Sequence, residues 1–230
     1  MGIFDADWLV TTAMLAPPLL LSLTVHEFAH ARTALAFGDP TAKAMGRVTL
    51  NPLAHLDPIG TLVLLVTHMF GWAKPVPVNP LNLEPRRLGD IMVSLAGPLS
   101  NLGLAILSGL LIRLLLRLGI VPVTDVTASI FTILLITLLV NVCLCVFNLV
   151  PLFPLDGHHV VREILPDRTQ VGFMRWQLQY GRILLIALIV GPRLVRMLTN
   201  LPAPDPLGYV FDLALGLASR MLGVPGLSGG

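Results

Sequence analysis

Residues 26 to 30 read His-Glu-Phe-Ala-His inside a largely apolar run, Leu21 to Ala36. Positions four apart on a helix share a face, so His26 and His30 can hold one metal ion between them with Glu27 beside it. This is the spacing of a catalytic zinc. Glu27 is then the general base, taking a proton from the attacking water and passing it to the leaving amine of a cleaved peptide bond. The zinc supplies Lewis acidity and brings the pKa of its water to about 7.

Catalytic zinc usually takes three protein ligands, so two histidines leave the site one short. Outside the helix the candidates are Asp57, His55, His68, Asp156, His158 and His159. Asp156 is the strongest of them. It follows an apolar run that Pro151 and Pro154 must break, and it precedes Gly157, which lets the backbone turn a side chain into a bundle. A carboxylate next to an apolar span is costly unless partnered; the plainer alternative is a loop Asp at the membrane surface. Asn148, about two helical turns earlier if the helix held, is a candidate to steady a developing oxyanion or the substrate backbone. An amide that merely bonds a helix carbonyl is the competing reading.

The elements that must position these groups are membrane elements. Of 230 residues, 55% are hydrophobic and only 12% charged, against about 25% charged in soluble domains. The mean hydropathy is +0.83, and the expectation is an integral membrane protein. The formal net charge of +2 gives no argument for nucleic acid. The opening MGIFDADW has no basic stretch, so the first apolar segment is expected to stay rather than be cleaved as a signal peptide. Cys143 and Cys145, two apart, point to different helix faces and read as small core residues rather than a disulfide.

Three long apolar runs are expected to span: Trp8 to Ala36 with Pro17-Pro18 inside it, Ile91 to Leu116, and Val126 to Val150. Arg182 to Leu201 is expected as a fourth, weakened by Gly191-Pro192, Arg193 and Arg196. Ile59 to Phe70 holds about a dozen apolar residues where a crossing needs about 20, so it is expected to be re-entrant. Thr41 to Leu50 and the proline-rich Gly71 to Leu83 are expected to contribute short strands at the membrane surface, with Asn51 to Pro58 as a rigid turn. His158 to Leu165 can resume helix, and Leu207 to Val224 has the one-sided apolar pattern of an interfacial helix. The fold class expected is an all-α polytopic bundle of about four to six membrane segments, with a re-entrant segment and short membrane-associated β-strands. It forms one domain over 1–230, with a core of 8–166 and C-terminal helices within 175–224. No repeat and no second soluble domain is visible.

Topology tests the third ligand. For Asp156 to meet His26 and His30, the chain must return to the same depth between them. Counting Ile59 to Phe70 as a full crossing puts Asp156 on the wrong side, and counting it as re-entrant puts it on the right one. The same arrangement gathers Arg32, Lys43, Arg47, Lys74, Arg86, Arg87, Arg162, Arg168 and Arg175 on the site's side and leaves Arg113 and Arg117 on the other. By the positive-inside rule the site is expected to face the cytoplasm of a multi-pass protein of the cell membrane.

Taken together, HEFAH at 26–30, NPLAHLDPIGT at 51–61, GWAKPVPVNP at 71–80, AGPLSN at 96–101 and N-x-x-P-x-x-P-L-D-G at 148–157 resemble the site-two protease family of intramembrane zinc metalloproteases. The nearer likeness is to its compact bacterial and archaeal members without PDZ or CBS domains. The resemblance implies His26, His30 and Asp156 as ligands of one Zn2+, Glu27 as catalytic acid and base, and Asn148 as a substrate or oxyanion helper. It also implies substrates that are membrane-spanning or membrane-bound segments of other proteins, met within the lipid bilayer. The rival reading is a non-proteolytic membrane zinc protein, another amide hydrolase or a metal carrier; a third is an inactive scaffold, disfavoured because Glu27 is present. His55 is expected to bond backbone in its turn and His68 to pack. No role is assigned to His158 or His159, and oligomeric state is not legible.

Overall fold

The structure is a computed structural model that describes residues 6–67 and 71–199, with four residue pairs between 208 and 220. Three described helices are long and apolar enough to cross a membrane. They belong to α1 (Ala6–Ala36), α4 (Arg86–Arg117) and α5 (Asp125–Asn148). Between α1 and α4 lie a helical turn, α2 (Thr41–Ala44), and a ten-residue helix, α3 (Pro58–Thr67). After α5 come α6 (Gly157–Ile164), α7 (Asp167–Trp176), a π-turn at Gln177–Gly181 and α8 (Arg182–Thr199).

α1, α4 and α5 pack against one another in all three pairings. Ala105 on α4 with Leu138 and Val142 on α5 form one buried cluster, against which Cys143 packs as a small apolar side chain. Ala34, Leu83 and Val93 form a second at the other end, beside Phe37 and Val78. Among the described residues both cysteines are free. α1 runs unbroken through Pro17 and Pro18, as helices of membrane bundles tolerate. Thr124 starts α5 with a capping box, its side chain accepting from the Thr127 N–H and the Thr127 hydroxyl accepting from the Thr124 N–H.

Two expectations are corrected. Thr41 to Leu50 is not a strand: Thr41–Ala44 takes a helical turn and Gly46 has φ of +68°, so the segment turns instead of extending. Asp39 drives this, accepting from both the N–H (3.1 Å) and the hydroxyl (2.5 Å) of Thr41. Gly71 to Leu83 is irregular up to a helical turn at Pro80–Asn82 and, among the described residues, forms no ladder, only the single antiparallel bridge of Ala73 with Leu56. The expected fourth span is α8, whose 18 residues include Arg182, Arg193 and Arg196 and which is not among the three helices apolar enough to cross. The readings of His68 and of most of Leu207 to Val224 lie outside the described residues.

The excursion containing α3 begins and ends side by side. Leu56 bridges Ala73, and the Lys74 N–H donates to the His55 carbonyl at 2.8 Å. α3 itself is about 15 Å long, half of a hydrocarbon core of about 30 Å. From Lys74 onward the chain is strapped down: Arg47 donates to the Lys74 carbonyl, and the Asn79 N–H donates to Asp39 at 2.7 Å.

Asp39 is buried and also accepts from the Asn82 amide at 2.9 Å. Burial alone raises its pKa, but the bonds from Thr41, Asn82 and Asn79 outweigh that and hold it below the ordinary carboxylate value. Its contribution is therefore complete above about pH 3.9 and disappears as pH falls through the lower folded value. Asp39→Ala is expected to cost about 3 kcal/mol at pH 7. Thermal melts in detergent check this: the gap between variant and wild type narrows as the pH falls below the ordinary carboxylate range.

Candidate metal centre

α1 carries His26 and His30 one turn apart, and both are buried where α1 crosses α4. The crossing is close because Gly97 of α4 lies beneath the two rings; a Cβ there would sit 2.6 Å from His26 Nε2 and against His30 Nε2. The third member arrives from α5. That helix ends at Asn148, and the turn through Pro151 and Pro154 delivers Asp156 back to the pair. Gly157 is required there, since a Cβ would meet the Val150 carbonyl oxygen at 2.6 Å.

The turn is held from outside. Gln177, almost wholly buried in the π-turn, accepts from the Phe153 N–H (2.9 Å) and donates to the Pro151 carbonyl (2.7 Å). The Arg182 guanidinium lies 4.8 Å over the Phe153 ring. α6 is tied to α4 by charge: Arg162 donates to the buried Asp90 of α4 and, at 2.8 Å, to its own neighbour Glu163, while the exposed Arg87 of α4 reaches Glu163 at 3.8 Å and Asp167 at the start of α7 at 2.7 Å.

Three atoms converge. His26 Nε2 and His30 Nε2 are 3.0 Å apart, and the Asp156 carboxylate oxygens stand 3.3 Å from the first and 3.4 Å from the second. Ligands about 2.1 Å from a tetrahedral zinc are separated by about 3.4 Å, so the spacing fits one ion. The protons argue the same way. His26 Nδ1 faces the Asn101 carbonyl oxygen at 2.5 Å and His30 Nδ1 faces the Val93 carbonyl at 2.7 Å. Both partners only accept, so each neutral ring carries its proton on Nδ1 and turns a lone pair on Nε2 toward the other. Asp156 Oδ2 is buried with no hydrogen-bond partner. Two lone pairs and a carboxylate aimed at one point form a donor set that fits a single metal cation. Among the described residues this is the one group of three or more such side chains close enough to share a metal ion.

The centre opens into a cavity of about 670 Å³ whose walls include Glu27, Val76, Phe147, Asn148, His159 and Arg182. Glu27 stands outside the converging trio, and its Oε2 accepts from the Val76 N–H at 3.1 Å. Asn148 lines the cavity while one amide hydrogen goes to the Leu144 carbonyl at 2.9 Å, which leaves its second hydrogen and its oxygen for other partners.

None of the remaining described candidates joins the trio. Asp57 accepts from the Gly60 N–H at 2.8 Å and caps α3. His55 is buried and bonds the Thr49 carbonyl at 2.8 Å, as a turn histidine should. His158 bonds the Leu155 carbonyl at 2.5 Å and packs edge-on against Phe153, and burial pushes its pKa down. His159 reaches the cavity wall as a neutral imidazole, its pKa pushed down to about 3 by burial and by neighbouring His158 and Arg162.

Sequence reasoning missed Ser22, Val93, Asn141 and Gln177. Asn101 falls within AGPLSN, but only contact with His26 gives it a role.

The family model described as peptidase family M50 matches residues 116–188. Among curated relatives, the Bacillus subtilis protein named "Putative zinc metalloprotease YwhC" is 41% identical over 174 residues, covering 76% of this chain and 78% of the relative. Rip2 of Mycolicibacterium smegmatis, carrying the same description, is 30% identical over 211 residues, 90% of this chain and 76% of the relative. Rip2 of Mycobacterium tuberculosis strain H37Rv is 33% identical over 180 residues, 76% and 66%. No solved structure matches.

Proposed function

Since the chain belongs to peptidase family M50, and is thus a zinc metalloprotease of the site-two type, we propose that it cleaves peptide bonds in membrane-spanning or membrane-bound segments of other proteins. In this reading His26, His30 and Asp156 hold the zinc, Glu27 moves the protons, and Asn148 offers its free amide hydrogen to the scissile carbonyl. One observation carries it. Two of the three converging ligands, and the glycine beneath them, sit on helices long and apolar enough to be membrane spans, so the reacting bond must come to a helix face rather than to an aqueous cleft.

A helical substrate hides its carbonyls in its own ladder and must unwind locally to be cut. The non-helical chain from Ala73 to Val78 borders the cavity and suits an unwound partner better than the helical turn at Thr41–Ala44 does. The N–H groups of Lys74 and Val76 are already used, by His55 and by Glu27. Substrate entry then frees Glu27 by drawing the Val76 N–H to itself. The paired ends of the α3 excursion support a re-entrant segment, and the nine basic side chains on the site's side support a cytoplasmic opening.

The test is reconstitution of the protein in lipid vesicles with a panel of fluorescent transmembrane substrates and matched water-soluble peptides. Cleavage is expected of the transmembrane substrates alone, lost on chelation and restored by zinc, and absent in Asp156→Ala together with tight zinc binding. In native membrane vesicles, an impermeant chelator is expected to inhibit inside-out but not right-side-out preparations. Equal zinc-dependent cleavage of the soluble peptides would overturn the membrane-substrate reading. Unaltered zinc binding by Asp156→Ala would remove the third ligand.

A further inference from the structure

Behind His26 a line of three buried polar side chains, Ser22, Asn141 and Asn101, crosses all three long helices, and it has a direction. On α1, Ser22 Oγ donates to the Pro18 carbonyl at 2.6 Å, which commits its proton and leaves its lone pairs outward. On α5, Asn141 Nδ2 stands 2.7 Å from that oxygen and 2.8 Å from the Thr137 carbonyl, so both amide hydrogens are spent on acceptors. Only the Asn141 carbonyl oxygen remains to face α4, where Asn101 Nδ2 donates to it at 2.7 Å. Asn101 is thereby turned with its oxygen toward His26 Nδ1, 2.5 Å away.

We infer that Asn141, acting through Asn101, is a positioning residue that fixes the proton of His26 on Nδ1 and so keeps its Nε2 free to bind zinc. Ser22, Asn101 and Asn141 are fully buried and His26 nearly so, so water does not compete at any link. The orientation is set at the far end by two backbone carbonyls, Pro18 and Thr137, which accept but never donate. Reversing either amide would set N–H against N–H or oxygen against oxygen in a buried site. His30 has no such relay, because the Val93 backbone carbonyl fixes its tautomer directly. Of the two imidazoles, His26 is therefore the one whose lone pair depends on side chains far from the metal.

The inference rests on His26 being a zinc ligand, and the experiment separates the two claims. Full-length protein in detergent micelles, labelled with 15N-histidine, is compared as wild type, Asn101→Leu, Asn101→Asp, Asn141→Leu, Asn141→Asp and His26→Ala. Zinc affinity is read by chelator competition, and the tautomer of metal-free His26 from its ring 15N shifts. Asn101→Leu is expected to weaken zinc about 10- to 100-fold. Asn101→Asp, as the neutral acid, still offers His26 an oxygen while its O–H donates to the Asn141 oxygen, and is expected to stay much nearer wild type. Asn141→Leu touches no zinc ligand, yet it is expected to move His26 toward the Nε2–H form and to lower affinity about tenfold. Asn141→Asp, as the neutral acid, keeps an oxygen toward Asn101 while its O–H serves the Thr137 carbonyl, and is expected to retain the Nδ1–H form.

Identical His26 tautomers in the Leu and Asp variants at position 141 would overturn the inference, since a purely structural loss would not separate them. If Asn141→Leu does not fold, the same contrast at position 101 decides: equal affinity and tautomer in its two variants would overturn it. Undiminished zinc affinity in His26→Ala would instead strike the ligand assignment beneath it.

Discussion

Glu27→Gln is expected to lose about 10²- to 10⁴-fold in cleavage rate while binding zinc as wild type does. The two halves of this result have separate causes. Zinc is untouched because Glu27 is not one of the three converging groups. The glutamine oxygen can still accept from the Val76 N–H, as Glu27 Oε2 does at 3.1 Å, so the non-helical segment stays in place across the cavity. What is lost is basicity, because an amide cannot take the proton of the attacking water or return it to the leaving amine. Turnover of a transmembrane substrate, measured beside zinc content, checks both halves; unchanged turnover would remove Glu27 from the chemistry.

Gly97→Ala is the second large effect, and it removes the ion rather than the base. The new methyl would lie 2.5 Å from His26 Cε1, 2.6 Å from its Nε2 and against His30 Nε2. An exposed imidazole would swing aside at little cost. These two cannot, since Asn101 and the Val93 carbonyl hold their Nδ1 atoms at 2.5 and 2.7 Å. Either the rings break those bonds or the helices separate, and both spread the ligands beyond zinc's reach. Zinc affinity is expected to fall by more than about 100-fold, beyond the usual effect of altering a ligand's support. Gly103→Ala on the same helix meets nothing within 4 Å and is expected to bind zinc normally. Chelator competition on the two purified variants checks the contrast, and equal affinity would mean that Gly97 is not the floor of the site.

Much of this centre was legible before any coordinate. The His26–Glu27–His30 spacing declares a metal by helical period alone, and Pro151 and Pro154 announce a break that carries Asp156 inward. The re-entrant reading of Ile59 to Phe70 remains a proposal, resting on a run too short for a crossing that needs about 20 residues. The illegible parts are those whose meaning depends on a partner in another helix. Asn141 is one polar residue in an apolar run, and no period distinguishes a relay from a packing amide. Gln177 acts on Pro151 and Phe153, 26 and 24 positions away. The strand expected at Thr41 to Leu50 failed because local bonds from Thr41 to Asp39 outcompeted extension.

With His26, His30 and Asp156 as the proposed zinc ligands, their parentage also sets a timetable. His30 and Asp156 are separated by 126 positions, so the first two ligands are made long before the third. At about 5–20 residues per second, synthesis alone keeps them apart for roughly 6 to 25 s. Until Asp156 is folded back by Gly157 and braced by Gln177, the histidine pair lacks the carboxylate that completes its grip. A newborn chain is therefore inert by construction. Hydrolytic competence arrives at the end of assembly, when the last long helix has docked and its broken tail has been threaded home.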